Sequence, residues 1–271
     1  MLKSLIVFLK GLWIGGTMTV PGVSGGSMAV ILNIYDRLLS AVVGFKKDPK
    51  KNFMFLLKFA LGGILGFVAF SKYILVPLMT LYPIPVSFFF LGAVAGGAPV
   101  IFKTAGVKKF SAKSVLYPII GIIFVTLLSL IPEGIFTSNN ISYILYILAQ
   151  VFAGILVALA IIVPGISVSQ MLLMMGLYTE VLKAVDDFNI LPFIPLGVGA
   201  IIGCLIFAKI MDKAIEKNPE ATYLIVFGFL LGSLPELFPG LPKGMGIVAC
   251  IITFIAGFSA IYFSQFFENK K

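Results

Sequence analysis

Apolar residues fall in ten long runs, near residues 5–20, 25–44, 54–76, 85–102, 115–131, 143–163, 168–185, 192–211, 221–235 and 246–266, divided by short clusters of Lys, Asp, Asn, Pro and Gly. About 20 residues of helix cover the ~30 Å of hydrocarbon in a bilayer. The pattern therefore predicts an all-α polytopic membrane protein, with one membrane domain over residues 1–271. Several runs are short for a complete crossing. Two of them open on related and unusually polar stretches, PGVSGGSMAVILNIYDRLL at 21–39 and PGISVSQMLLMMGLYTEVL at 164–182.

The relation extends along the chain. At an offset of 143, Pro21, Gly22, Ser24, Tyr35, Leu39 and Ala41 fall on Pro164, Gly165, Ser167, Tyr178, Leu182 and Ala184. At 137, Gly62, Gly66, Phe70 and Lys72 fall on Gly199, Gly203, Phe207 and Lys209; at 136, Gly92, Gly96 and Pro99 fall on Gly228, Gly232 and Pro235. Three nearly equal offsets in one order predict a duplicated five-segment unit, with repeat 1 over about 1–135 and repeat 2 over about 140–271. Five is odd, so a direct duplication in sequence becomes an inverted repeat in the membrane. A Pro-Gly turn between short glycine-rich stretches favours a re-entrant helical hairpin in each unit, followed by three transmembrane helices. The two turns then meet near the midplane, where inverted-repeat transporters place their substrates.

Composition narrows the function. Sixty per cent of residues are hydrophobic and 11% charged, and the longest polar connections, such as 46–52, leave no room for a soluble catalytic domain. Of the 20 Lys and Arg residues, 17 fall in loops and helix ends on one side and only Lys72, Lys183 and Lys243 on the other. By the positive-inside rule both termini are expected in the cytoplasm, and the net charge of +9 needs no nucleic-acid partner. Lys10 interrupts the first apolar run, which is expected to be retained rather than cleaved as a signal peptide. Cys204 and Cys250 lie in apolar runs without metal-ligand spacing and are expected to serve packing. The chain has no histidine and no Walker A sequence, which removes histidine-nucleophile phosphatases, most zinc membrane proteases and direct drive by ATP. A carrier that is not an enzyme, with no metal and no catalytic residue, is the economical reading.

After each Pro-Gly turn a helix begins with unpaired N–H groups and its positive dipole end, an arrangement that attracts anions. In the first copy Ser24, Gly25, Gly26 and Ser27 permit close approach and offer hydroxyl donors; in the second Ser167, Ser169 and Gln170 do so. Irregular backbone at membrane depth is tolerated only inside protein or along a wet cavity. Glycines at 62, 66, 92, 96, 199, 203, 228 and 232 are read as sites of close helix packing. Arg37, the single arginine, is suited to bidentate phosphate recognition, or else to anchoring at the interface in a pair with Asp36. Tyr35 and Tyr178 fit either the site or an interfacial aromatic belt.

With these residues in view, GTMTVPGVSGGSMAVILNIYDRLL and VPGISVSQMLLMMGLYTEVL closely resemble the paired signatures of the bacterial polyprenyl-phosphate translocase family of the PopT type, over essentially the whole chain. The resemblance implies transport of undecaprenyl phosphate (C55-P), or a related polyprenyl phosphate, from the outer to the cytoplasmic leaflet of the bacterial cytoplasmic membrane, where this lipid carrier serves synthesis of peptidoglycan and other envelope polymers. It also implies two re-entrant hairpins in an inverted repeat. The family signature falls on Pro21, Gly22, Ser24, Gly25, Gly26, Tyr35 and Arg37, and on Pro164, Gly165, Ser167, Ser169, Gly176 and Tyr178. Asn33 and Val168 stand where the motifs usually carry glycine, and Asp36 where they carry glutamate.

A prenyl chain is at home in hydrocarbon, so only the phosphate needs a path. An idealised ion entering a low-dielectric region costs ~20 kcal/mol, against ~0.3–2 kcal/mol from each helix end. Inward movement of an anion against a negative interior costs a further ~2.3 kcal/mol per charge per 100 mV. Transport coupled to H+ or Na+ is therefore expected, with Asp36 and Glu180 as the carboxylates to test first. The alternatives are a transporter or channel for another small anion, and a lipid sensor or scaffold that transports nothing.

Overall fold

The computed structural model describes residues 2–18, 20, 23–107, 109, 111–131, 143–186, 189, 191–244 and 246–268, and among them there is no strand. Pro21, Gly22 and the expected repeat boundary near 135–140 lie outside the described residues. Helices α1 (Leu2–Thr17), α2 (Gly25–Ile31), α3 (Tyr35–Val43), α4 (Pro49–Leu65), α5 (Val76–Leu81), α6 (Pro83–Thr104) and α7 (Lys113–Ser129) form the first part of the chain. Helices α8 (Tyr143–Ile162), α9 (Val168–Met175), α10 (Tyr178–Asp186), α11 (Ile194–Lys217), α12 (Pro219–Leu237) and α13 (Gly246–Glu268) form the second. Among the described residues, six spans are long and apolar enough to cross a membrane: 49–81, 83–104, 144–162, 191–217, 219–237 and 246–263. The chain is thus a multi-pass, all-helical membrane protein.

Helix starts follow local chemistry. Pro49, Pro83 and Pro219 occupy first turns, where a missing N–H costs nothing, and Asp48 caps α4 by accepting from the Lys51 N–H at 3.3 Å. Two departures from the run pattern are informative. The runs 25–44 and 168–185 are each broken, and α2 and α3 meet at 114°. Asn33 at φ 52° and Gly176 at φ 74° make the breaks. Each is closed by a 6→1 hydrogen bond of the Schellman kind, from Ile34 N to Ala29 O and from Leu177 N to Leu172 O, both 2.9 Å. The run 54–76 is longer than its apolar residues imply, because α4 continues through a π-helical stretch, Gly66–Leu75, into α5.

Helices pack in matched pairs. In the α1–α4 pair a methyl at Gly62 would overlap the Phe8 carbonyl, and in the α8–α11 pair a methyl at Gly199 would overlap the Val151 carbonyl. In the α6–α13 pair Gly92 lies on the Phe254 carbonyl; in the α7–α12 pair Gly228 lies on the Pro118 carbonyl. These contacts recur at the sequence offsets: 92 and 118 become 228 and 254. Large apolar side chains such as Leu61, Ile64, Ile201, Leu205, Ile251 and Ile255 face outward, while Thr17, Ser24, Ser27, Asn52, Ser87, Gln150 and Ser233 are buried. With lipid as apolar as leucine, close backbone approach and internal polar contacts hold such a bundle together. Cys250 is buried and Cys204 partly so, both as free thiols.

Candidate functional site

The site is built where the polar stretches of the two halves touch. Ser24 has extended backbone (φ −91°, ψ 146°) and caps α2, its Oγ accepting from the Ser27 N–H at 3.0 Å. The Ser24 and Ser27 hydroxyls hydrogen-bond to each other at 2.6 Å. Opposite them the chain turns at Pro164 and Gly165. Gly165 has φ 86°, a left-handed conformation natural to glycine, and a Cβ there would come within 2.6 Å of the Phe229 backbone. Its N–H donates to Ser24 Oγ at 3.1 Å and to Ser27 Oγ at 2.8 Å, linking positions 141 and 138 residues apart in sequence. Gly26 faces the same turn closely: a Cβ there would lie 3.1 Å from Pro164 Cα. Gly25 lies against Met18.

The two sides of this contact differ. The hydroxyls of the first stretch are engaged with each other and with Gly165. In the second stretch Ser167 occupies the cap position of α9 without making a side-chain cap bond. Ser169 is exposed, and Gln170 is within hydrogen-bonding reach of Glu236 on α12. Neither Ser167 nor Ser169 has a side-chain hydrogen bond among the described residues. Helix α2 has only 7 residues, too short for much of a dipole, so the polar groups here are chiefly hydroxyls and turn amides.

Arg37 sits on α3, beyond the bend. It donates from Nη2 to Asn52 Oδ1 at 3.0 Å and lies 4.6 Å over the Phe55 ring; Asn52 in turn donates to Gly44 O at 2.9 Å. The expected Asp36–Arg37 pair does not form, because neighbouring residues on a helix diverge and do not face each other. Asp36 instead accepts a hydrogen bond from the Tyr223 hydroxyl of α12. Tyr35 is buried, 5% exposed, and donates to the Ile162 carbonyl at 2.7 Å, two residues before Pro164. It is no interfacial belt residue, since its ring is shut away from lipid and headgroups alike. Tyr178 begins α10, and Glu180 is exposed in that helix's first turn with no side-chain hydrogen bond among the described residues.

The structure therefore brings Ser24, Ser27, Gly26, Pro164 and Gly165 together, links Tyr35 to them through Ile162, and places Arg37 and Asp36 on the far limb of the bend. Sequence reasoning missed Tyr223, Asn52 and the carbonyl of Leu32, to which Lys10 Nζ donates at 2.7 Å. Only Lys10 had a signal, as a charge inside an apolar run; there it donates to the carbonyl of Leu32, the C-cap residue of α2. Among the described residues no group of three or more His, Cys, Asp or Glu side chains stands ready for a metal.

Comparison with known proteins gives consistent matches over this architecture. Residues 14–249 match the undecaprenyl phosphate translocase-like family. A polyprenyl-phosphate transporter of Staphylococcus aureus is 31% identical over 271 residues, 93% of this chain and 93% of its own length. One from Vibrio cholerae is 30% identical over 249 residues, 87% of this chain and 78% of its own. No solved structure matches.

Proposed function

The chain belongs to the undecaprenyl phosphate translocase-like family, and on that premise we propose that it returns undecaprenyl phosphate from the outer to the cytoplasmic leaflet of the bacterial cytoplasmic membrane, handling the phosphate between the two Pro-Gly turns. It is a transporter of polyprenyl phosphate rather than an enzyme. The observation that carries the finer reading is the Gly165 N–H held by Ser24 and Ser27. A turn amide and two hydroxyls, meeting from distant parts of the chain inside an apolar bundle, are groups that phosphate oxygens accept from. Phosphate enters when the turns part: its oxygens replace the serine hydroxyls on Gly165 and accept from Ser24, Ser27, Ser167, Ser169 and Gln170. Gly25 and Gly26 leave room beside the first turn, and Pro164 holds the break at the second. Arg37, beside Asn52, receives the headgroup on the cytoplasmic limb.

In this reading the turns are tips of re-entrant hairpins in an inverted repeat, repeat 1 over about 1–135 and repeat 2 over about 140–271, with both termini cytoplasmic. The matched packing of Gly92 on Phe254 and Gly228 on Pro118 supports the duplication, and the distribution of lysines supports the orientation. Because the headgroup moves against the membrane potential, the cycle is coupled to a cation, with Asp36 and Glu180 as the carboxylates and Tyr35 and Tyr178 as gating side chains.

The test is leaflet-resolved movement of undecaprenyl phosphate in proteoliposomes, with wild type beside Gly26→Leu, which forces a side chain into Pro164. Movement by wild type that is lost in the variant is expected. Indifference to the prenyl tail, with competition by inorganic phosphate, would reassign the protein to small anions; unchanged movement in Gly26→Leu would remove the turns from the path. Uptake insensitive to pH, Na+ and membrane potential would end the coupling proposal.

A further inference from the structure

Gly63 is a glycine that helix packing does not require. A methyl at Gly62 or Gly66, on either side of it, would overlap the carbonyl of Phe8 or Leu12, whereas a Cβ at Gly63 would meet nothing nearer than the Gly11 carbonyl oxygen at 3.8 Å. The space it leaves belongs to a groove of about 350 Å³ between α1 and α4, within the ~300–1,000 Å³ usual for small-molecule sites. Gly11, Ile14 and Met18 line one side, and Phe59, Gly63 and Phe67 the other, Phe67 from the π-helical stretch that continues α4. No charged, hydroxyl or amide side chain faces it. Ile64 and Val68 at its rim are exposed and lie in the span 49–81, so the groove opens to hydrocarbon.

One end of the groove reaches the polar contact between the halves. Met18, in its lining, is also the residue that Gly25 lies against, with a Cβ at Gly25 falling 3.1 Å from Met18 Sδ. From Met18 the α1 wall runs back to Gly11, ~10 Å along the helix. A molecule with an anionic head at the first turn and an apolar tail therefore finds a seat for the tail directly beside the head.

We propose that this groove seats the phosphate-proximal part of an isoprenoid chain, the tail of the lipid phosphate. The inference deepens the carrier reading proposed above and rests on it for the identity of the head. Lipid is as apolar as the groove, so release from water drives nothing here and matched dispersion contacts decide occupancy. The rings of Phe59 and Phe67 and the adaptable Met18 thioether are polarisable surfaces suited to alkene carbons and their methyl branches. A seated tail confines the phosphate near the first turn and raises its effective concentration there. The second half differs: at the offsets that align the two, Gly15 and Gly63 correspond to Ala158 and Ala200, which carry methyl groups instead.

The experiment uses the full-length protein in proteoliposomes with a polyprenyl phosphate that carries a photoreactive diazirine on an isoprene unit close to the phosphate. Cross-linked residues are mapped by mass spectrometry. Labelling of 11–18 and 59–68 is expected, suppressed by undecaprenyl phosphate and not by dioleoyl phosphatidic acid. Gly63→Leu, which fills the groove without striking backbone, should lose most of the label and most of the lipid movement at unchanged Tm. Gly197→Leu makes the same insertion on α11, at the position matched to Ala60, and should keep both. Should Gly63→Leu not fold, Ala60→Leu carries the comparison. Label elsewhere in the chain, or full label in Gly63→Leu, overturns the proposal. Equal suppression by phosphatidic acid overturns it in favour of ordinary acyl chains, and cross-linked dimers joined through the groove overturn it in favour of a second copy. No label in the groove with intact lipid movement sinks only the tail site, while label in the groove without lipid movement sinks only the carrier reading.

Discussion

The Gly165 N–H donates to the Ser27 hydroxyl at 2.8 Å across 138 residues, with the Ser24 hydroxyl sharing the same hydrogen. This contact joins the two polar breaks directly and leaves no gap for a ligand while it persists. Either serine satisfies the amide alone, so Ser27→Ala should cost under about 1 kcal/mol. The Ser24→Ala/Ser27→Ala double variant strands a buried donor and removes the cap of α2, and should cost about 1–3 kcal/mol. Denaturation of the purified variants measures this, and more than additive loss in the double variant is the signature of the shared bond.

Much of this architecture is legible in the sequence, and the parts that are not have physical causes. Each of the ten apolar runs contains helix, while the helices that the runs at 54, 85 and 221 belong to begin a few residues earlier, at Pro49, Pro83 and Pro219. The breaks at Gly176 and Asn33 both fall inside runs read as single helices, because apolar residues continue on either side; Gly176 is a glycine and Asn33 another residue that tolerates left-handed backbone. Ser24, Ser27 and Gly165 are legible as polar groups in apolar surroundings, but their mutual contact is not, because it depends on how two distant turns dock. Tyr223 is invisible for the same reason: nothing near it in sequence signals Asp36, 187 residues away. The π-helical stretch Gly66–Leu75 has no apolar signal of its own, since its residues read as a continuation of α4.

Arg37 separates phosphate recognition from anchoring. Its guanidinium is partly buried on Phe55 and fixed by Asn52, an arrangement that a lysine ammonium cannot copy because it lacks the planar fork. If it receives the headgroup, Arg37→Lys should lose most of the lipid movement that Arg37→Ala loses, with Tm changed by less than about 1 kcal/mol in equivalent stability. Asn52→Leu should also lower transport by freeing the guanidinium. Full activity in Arg37→Lys would reduce Arg37 to an interfacial anchor.

The matched glycines make a paired prediction. Gly92→Ala and Gly228→Ala each place a methyl on a facing carbonyl, of Phe254 and Pro118 respectively, and each should destabilise by about 1–3 kcal/mol. Gly197, on α11, has open space where its Cβ would lie, so Gly197→Ala should be neutral or slightly stabilising through helix propensity. Thermal unfolding in one detergent compares the three. A Gly92→Ala variant as stable as Gly197→Ala would mean that α6 and α13 sit farther apart than described.

Gln150 presents the opposite case, a polar side chain whose removal should help. It lies in α8 at 1% exposure, and neither Nε2 nor Oε1 has a hydrogen-bond partner. Leaving such a group buried and unmet costs about 1–3 kcal/mol, and replacing it by an apolar group of similar length recovers part of that cost. Gln150→Leu should therefore raise stability by about 1 kcal/mol, read as a higher Tm, while lipid movement in proteoliposomes stays at the wild-type rate because the residue lies about three helical turns before the Ile162 end of α8. A lower Tm would mean that Gln150 holds an internal water in the working protein; an unchanged Tm with lost transport would bring α8 into the path of the lipid phosphate.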